Sequence, residues 1–171
     1  MATTFHLRVW TRFFAPLEDV WALKTDPAAI QAELQPWSSF SIKDGDALRR
    51  ALGGDVPVDL SASLRLGQIL PVSWPIHLAS VVKHASFRDT STNALFARFE
   101  HDHLFEVTPD GCRYVDAVTF TSKAPAQKLF AIGLQRHFQH RHAVAAKRLK
   151  TDPQATGVAV LRVLVEAKDA A

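Results

Sequence analysis

The sequence predicts an α+β fold in which one curved antiparallel sheet packs against a long C-terminal helix. Three observations indicate this: an N-terminal strand pattern followed by two short helix starts, six strand patterns between residues 37 and 122, and an amphipathic segment that ends near residue 150. The 171 residues, 47% of them hydrophobic, suit a single domain with its own core. We predict one domain over residues 1–151 and an extension over residues 152–171, whose structure stays open.

The N-terminal third is predicted to contain a strand, two short helices and a second strand. Residues 4–12 alternate apolar and polar side chains, as a half-buried strand does. Pro16 suits the first turn of a helix, and acidic residues follow it. Asp26-Pro27 predicts a second helix start that runs to about Leu34. Pro36 ends this helix, and residues 37–42 form a short strand.

Residues 44–58 are compatible with two structures. Residues 47–52 could form a helical turn or two ended by Gly53-Gly54, or the segment could be a mobile loop. Strand patterns then follow at 61–70, 73–84, 86–91, 94–107 and 112–122. Pro71 and Pro75 are expected to frame the first turn of this series, at strand ends where a missing N–H is tolerated.

A long amphipathic helix is predicted from Pro125 to about Lys150. Its apolar arc includes Phe130, Leu134 and Phe138, and Arg141 lies within that arc. Residues 157–166 are rich in β-branched residues. They could add an edge strand, pack on the helix or contact a second subunit in a homodimer, and these alternatives stay open.

The hairpin over residues 94–121 places titratable side chains on an apolar face. If Val107 pairs with Cys112 after the turn, the antiparallel register sets His103 opposite Asp116. Opposed side chains have Cβ atoms about 4.5–5.5 Å apart, close enough for an imidazole–carboxylate hydrogen bond. Such a pair could be structural, or it could hold the imidazole in a tautomer that donates to a ligand or abstracts a proton.

Composition and motifs exclude several classes of function. The net charge of +3 is weak evidence for a polyanionic partner, and we expect no nucleic-acid binding. The single Cys112 excludes an intramolecular disulfide. No apolar run is long enough to span a membrane, and the charged N-terminus is unlike a signal peptide, so a cytoplasmic protein is expected. Nucleotide-binding and serine-hydrolase motifs are missing, and no cofactor is predicted.

Several short motifs occur in an order that resembles a known superfamily. Together they are similar to the SRPBCC, or START-like, helix-grip superfamily, and within it to bacterial polyketide cyclase/dehydrase-like ligand-binding proteins. The resemblance covers roughly residues 5 to 150. The matching positions are Ala15/Pro16/Val20/Trp21, Asp26/Pro27, Pro36, Trp74, His101/His103/Phe105, Asp116/Val118/Phe120 and Phe138/Arg141. The sequence departs from the pattern at 44–58, where such folds often gate their pocket, and at Cys112, where Thr is more typical.

The resemblance implies a hydrophobic cavity between a sheet of about seven strands and the C-terminal helix. Candidate ligand-binding residues are Trp37, Trp74, Phe99, His101, His103, Asp116, Phe130, Leu134, Phe138 and Arg141. Arg141 must either extend to the rim or pair with a carboxylate or a ligand anion. His137, His140 and His142 do not share one helix face and are expected at the surface.

Three functions follow as expectations. The first is binding of a small hydrophobic molecule, which could be lipid-, polyketide- or isoprenoid-like. The second is an aromatase/cyclase or dehydratase that uses His103 as a general base positioned by Asp116. The third is an interaction module whose basic helix docks an acidic partner such as an acyl-carrier protein. A metal held by His101 and His103 would need ligands from neighbouring strands, with Asp116 or the distant His84 as candidates, and no metal is predicted.

Overall fold

The computed structural model describes residues 3–53, 57–123, 127–151 and 156–165. Eight strands and four helices are described within these ranges. In chain order they are β1 (Thr3–Phe13), α1 (Leu17–Thr25), α2 (Pro27–Leu34), β2 (Ser38–Ile42), α3 (Gly45–Gly53), β3 (Val58–Leu66), β4 (Leu70–Val82), β5 (Ser86–Ser91), β6 (Phe96–Thr108), β7 (Gly111–Ser122), α4 (Gln127–Arg148) and β8 (Thr156–Val165). Gly54 and Pro125, named in the predictions, lie outside the described residues.

The strands form one antiparallel sheet in the order β2-β3-β4-β5-β6-β7-β1-β8. Helix α4 packs on this curved sheet, which confirms the predicted α+β class. The eighth strand comes from the segment whose structure was left open, since β8 pairs antiparallel with the outer edge of β1. Of the three alternatives for residues 157–166, the structure shows the edge strand over the described part, residues 157–165.

Local side-chain caps explain where two of the helices begin. The Asp26 carboxylate accepts hydrogen bonds from the backbone N–H groups of Ala28 and Ala29, at 3.3 and 3.2 Å, and Pro27 occupies the first helical position. Asp44 accepts from the N–H of Ala47 at 2.8 Å at the start of α3. Residues 45–53 are therefore helical, and the alternative of a mobile loop at this position is wrong.

Strands β3 and β4 begin earlier in the sequence than predicted. The turn between β3 and β4 lies at residues 67–69, where Gly67 and Gln68 both have positive φ. Pro71 and Pro75 consequently lie inside β4, opposite Arg65 and Ser61, and do not frame the turn. Strand β5 pairs with β4 only from His77 onward, so residues 70–76 of β4 have no strand on that side. A proline there breaks no hydrogen bond of the sheet if its missing N–H faces this unpaired edge.

The core consists of two apolar clusters on the concave side of the sheet. One is built around Trp21 and Phe105, and α4 contributes Ala145 and Ala146 to it. The other is built around phenylalanines of β1, β6 and β7, and α4 contributes Ala131 and Phe138. These clusters position the site, because the polar side chains described below lie where the two meet.

Candidate functional site

A cavity of about 740 Å³ lies between the concave side of the sheet and α4. Most of its wall is apolar. Nine of the ten predicted ligand-binding residues line it: Trp37, Trp74, Phe99, His101, His103, Phe130, Leu134, Phe138 and Arg141. Trp37 is 62% exposed and therefore lies at the mouth. Asp116, the tenth residue, is fully buried and is not part of the wall. It was predicted to contact the ligand, but in the structure it lies behind the cavity wall.

The β6–β7 register places His103 opposite Asp116, as predicted. The predicted direct hydrogen bond between them is wrong, because the closest approach is 3.4 Å, from His103 Nδ1 to Asp116 Oδ1. The Tyr114 hydroxyl, which comes from the same face of β7, lies against both groups. It is 2.7 Å from His103 Nδ1 and makes a short hydrogen bond to Asp116.

Asp116 is the centre of a buried hydrogen-bond network. Its carboxylate contacts His101 Nε2 at 2.9 Å and His142 Nε2 at 3.0 Å, in addition to the Tyr114 hydroxyl. Burial alone would raise the pKa of Asp116, but the field of His101 and the hydrogen bonds from His101 and His142 hold it well below its usual range. Asp116 is therefore a carboxylate that orients the histidines behind the cavity wall.

His142 is fully buried, and the expectation that it lies at the surface is wrong. Its Nδ1 is 2.8 Å from the hydroxyl of Thr11 on β1. Burial lowers the pKa of His142. His140 and His142 do point in different directions from α4, as residues i and i+2 of a helix should, but His142 points at the sheet. The usable signal was spacing, since residue 142 follows the buried Phe138 by four positions.

The other two histidines of α4, His137 and His140, are also not simple surface residues, because both line the cavity. His137 lines the cavity, and burial together with the nearby Arg141 lowers its pKa to about 4. His140 lies near the mouth, with Nε2 2.5 Å from the carbonyl of Gln35. Neither makes a contact with the Asp116 network among the hydrogen bonds of the described residues.

Asp89 is a functional candidate that the sequence analysis missed. It lies opposite His101 in the β5–β6 register and lines the cavity. Its Oδ2 is 2.9 Å from His103 Nε2 and 3.5 Å from His101 Nδ1. Period-two alternation from the buried Phe87 could have placed Asp89 on the inner face. These three side chains could hold a metal ion, because one ligand atom from each lies within 4.8 Å of the others.

The pKa values of His103 and Asp89 reflect burial and the charges of their neighbours. Burial lowers the pKa of His103 to about 4, and the neighbouring His101 acts in the same direction. Burial opposes ionisation of Asp89, yet the fields of His101 and His103 bring its pKa below the ordinary value. His84, the distant metal candidate, packs edge-on against Trp21 and lies outside this group.

A buried ion-pair group forms a second polar feature beside the cavity. Glu33 Oε1 is 2.8 Å from Lys24 Nζ, and Glu33 Oε2 is 3.4 Å from Arg141 Nε, although the latter contact lacks hydrogen-bond geometry. Arg141 is only 8% exposed, so it pairs with a carboxylate and is not anchored at the rim. Burial would lower the pKa of Arg141, but Asp116 and Glu33 raise it. The sequence analysis did not identify Lys24 or Glu33.

The basic face of α4 is exposed at Lys128, Arg136 and Lys147. An acidic protein partner for this face stays a prediction. Within the described residues, no helix combines the length and the apolar character needed to cross a membrane.

A family described as "Domain of unknown function (DUF8410)" matches residues 11–149. None of the curated proteins matches the sequence.

Solved structures with low sequence identity share the fold. Protein CV1439 from Chromobacterium violaceum has a TM-score of 0.66 at 14% identity, over 86% of this chain and 98% of the other. TTHA0849 from Thermus thermophilus has a TM-score of 0.65 at 17% identity, over 85% and 97%. Ara h 8.0201 has a TM-score of 0.62 at 11% identity, over 86% and 98%. These similarities support the helix-grip fold.

Proposed function

The chain belongs to the family of domains of unknown function DUF8410, and we propose that it binds a small, largely apolar molecule in the cavity between sheet and α4. The observation that carries this proposal is a cavity of about 740 Å³ whose largely apolar wall is interrupted by a few polar side chains, among them Asp89, His101, His103 and Arg141. Ligand pockets in proteins have this size and this combination of surfaces. A lipid-, polyketide- or isoprenoid-like molecule fits that description.

The apolar wall would supply most of the binding free energy. Trp74 meets Phe96 and Phe99 edge-on, with ring centroids 5.6 and 5.2 Å apart, so this part of the wall is held by its own packing. Each Å² of apolar surface that the ligand removes from water contributes about 25 cal/mol. A preformed wall limits the entropy lost on binding.

Arg141 is the group best placed to recognise the polar end of the ligand. Its guanidinium lines the cavity, lies over the Phe138 ring at 5.1 Å, and contacts Glu33 through Nε alone among the ion pairs of the described residues. Glu33 already has a closer partner in Lys24. An anionic or strongly accepting group on the ligand would therefore meet a buried cation with donors to spare.

Two fluorescent probes of similar shape test this proposal. 1-Anilinonaphthalene-8-sulfonate is anionic, and N-phenyl-1-naphthylamine is its neutral counterpart. We expect both to bind saturably, and we expect Arg141→Met to weaken the anionic probe by about tenfold, equivalent to about 1.4 kcal/mol, while the neutral probe is unchanged. Leu134→Trp should weaken both, because it fills the cavity.

Lys147→Met provides the matched control, since Lys147 is an exposed cation on the same helix. It should change neither affinity. Binding that does not saturate, or that Leu134→Trp leaves unchanged for both probes, would contradict the proposed cavity function. Equal effects of Arg141→Met and Lys147→Met would contradict the role of Arg141.

A second candidate function is proton transfer on a ligand bound in the same cavity. It is favoured by the direct hydrogen bond between His101 and Asp116, which fixes the tautomer of a histidine that faces the cavity. The residue in the role of base would then be His101, and not His103. Under this function, His101→Gln would abolish turnover of a β-dicarbonyl or polyketide-type substrate while probe binding persists.

A further inference from the structure

Three potential metal ligands converge on one part of the cavity wall. Asp89 and His101 are directly opposed across β5 and β6, and His103 follows His101 on the same face of β6. The ring centroids of the two histidines are 3.8 Å apart. All three side chains line the cavity, and their ligand atoms lie within 4.8 Å of one another.

Hydrogen-bond accounting fixes which nitrogen of His103 carries its proton. Asp116 is a carboxylate and can only accept, so the single hydroxyl proton of Tyr114 is donated to it. The Tyr114 oxygen must then accept from His103 Nδ1–H, at 2.7 Å. In a neutral imidazole this leaves a lone pair on Nε2, which points at Asp89 Oδ2 from 2.9 Å. Two acceptors at that distance repel unless a cation lies between them.

The same accounting applies to His101. Its Nε2–H donates to Asp116 at 2.9 Å, so Nδ1 carries the lone pair of the neutral ring. This Nδ1 lies 3.5 Å from the same Asp89 Oδ2. With both rings neutral, as metal binding requires, two imidazole lone pairs and a carboxylate oxygen face one small volume at the cavity wall.

We propose that Asp89, His101 and His103 bind a divalent transition-metal ion of the class represented by Zn²⁺. Two imidazole nitrogens and one carboxylate form a common ligand set for such ions, and the remaining coordination position would face the cavity. Each histidine donates its other N–H to Asp116 or Tyr114, as metal-bound histidines typically do. No metal was predicted from the sequence, and Asp89 was not among the ligands considered there. This proposal concerns the metal alone and does not depend on the organic ligand.

Competition with a chromophoric chelator tests the site. The protein is dialysed against EDTA at neutral pH, and Zn²⁺ is titrated into a mixture of protein and chelator. We expect about one tight site per chain. Asp89→Asn and His103→Gln should weaken binding more than Tyr114→Phe, which removes only an orienting contact and should cost about 10- to 100-fold.

The exposed pair of His77 and Asp59, with 2.7 Å between Nδ1 and Oδ1, gives a matched control. His77→Gln should leave Zn²⁺ affinity unchanged. The proposal is overturned if the wild-type protein does not compete for Zn²⁺, which would leave a shared proton between His103 and Asp89. It is also overturned if Asp89→Asn and His103→Gln bind Zn²⁺ as the wild type does.

Cobalt spectroscopy keeps the test decisive if the variants fail to fold. Co²⁺ bound by two imidazoles and a carboxylate in four-coordinate geometry gives intense visible d–d bands. The wild-type protein should develop these bands and lose them when Zn²⁺ is added. A spectrum identical to that of hexa-aqua cobalt would overturn the proposal without any variant.

Discussion

Among single residues, Glu33 holds a carboxylate that is fully buried between α2 and α4. Lys24 approaches one oxygen at 2.8 Å, and Arg141 approaches the other at 3.4 Å. Lys24 is itself 2% exposed and lies over the Tyr114 ring at 4.7 Å. Removing one member of a buried ion pair leaves the other charge uncompensated, and that loss exceeds the net value of the pair.

Lys24→Met is therefore expected to lower the free energy of unfolding by about 3–5 kcal/mol. Equilibrium urea denaturation measures this change. Arg49→Met is the matched control, because Arg49 and Asp46 form an exposed pair at 2.6 Å, and such pairs contribute about 1 kcal/mol or less. If Lys24→Met costs no more than Arg49→Met, the buried pair does not have the role assigned to it.

Residue-scale prediction from sequence succeeded where a period of two was sufficient. The register of β6 and β7 follows from alternation and a turn, so the opposition of His103 and Asp116 was accessible. The hydrogen-bond partners of His103 and Asp116 could not be predicted, because they depend on the lengths and rotamers of the surrounding side chains. Tyr114 reaches between the two groups, and Asp89 belongs to a strand whose pairing partner the sequence does not specify.

At the scale of elements, the turn between β6 and β7 depends on one glycine. Gly111 has φ of +152°, and a Cβ atom there would lie 2.1 Å from the carbonyl oxygen of Phe13 at the end of β1. Gly133, within α4, differs in both respects: a Cβ there meets nothing within 4 Å, and its φ is not positive. The two glycines should therefore respond to alanine with opposite signs.

Gly111→Ala is expected to destabilise the protein by at least about 2 kcal/mol, since the backbone of β1 must shift. Gly133→Ala should stabilise it by about 1 kcal/mol, because alanine is the better helix former. Thermal and urea unfolding of both variants measure these changes. Stabilisation by Gly111→Ala, or destabilisation of similar size by both variants, would contradict the described packing of this turn.

Elements whose bounds depend on residues close together in the sequence were predicted closely. Elements whose bounds depend on pairing between distant strands were not. The cap at Asp26 and the spacing of Phe130, Leu134 and Phe138 in α4 each depend on residues close together in sequence, so short windows contain the information. The boundary of β3 and β4 was misplaced because Pro71 and Pro75 look like turn residues, yet that part of β4 has an unpaired edge. The role of β8 depends on pairing with β1, about 150 residues away in sequence.

At the scale of the whole molecule, histidines that stay neutral in the folded protein make folding sensitive to acid. The pKa of His137 is lowered to about 4 in the folded protein, and burial also lowers the pKa of His142. Both groups have pKa values near 6.5 when unfolded. Between pH 6.5 and about 4 the unfolded chain therefore binds protons that the native state does not bind, and stability falls as pH falls.

We expect the free energy of unfolding to decrease steadily from pH 6.5 to pH 4.5, by up to about 1.4 kcal/mol per pH unit for each such histidine. Urea denaturation across this range measures the slope. His137→Gln should reduce the slope, whereas His77→Gln, at an exposed site, should leave it unchanged. The Asp116 carboxylate, whose folded pKa is depressed, adds to the loss only below about pH 4. A pH-independent free energy of unfolding would contradict the claim that His137 and His142 are neutral in the folded protein.

The central claim at this scale is that the space between sheet and α4 is a ligand cavity. Titration of ¹⁵N-labelled protein with N-phenyl-1-naphthylamine, followed by ¹H–¹⁵N NMR, tests it most directly. We predict saturable binding of about one probe per chain, with the largest shift changes at residues lining the cavity, such as Phe99, Leu134 and Phe138. Shift changes confined to the outer face of the sheet, or none that saturate, would contradict the claim.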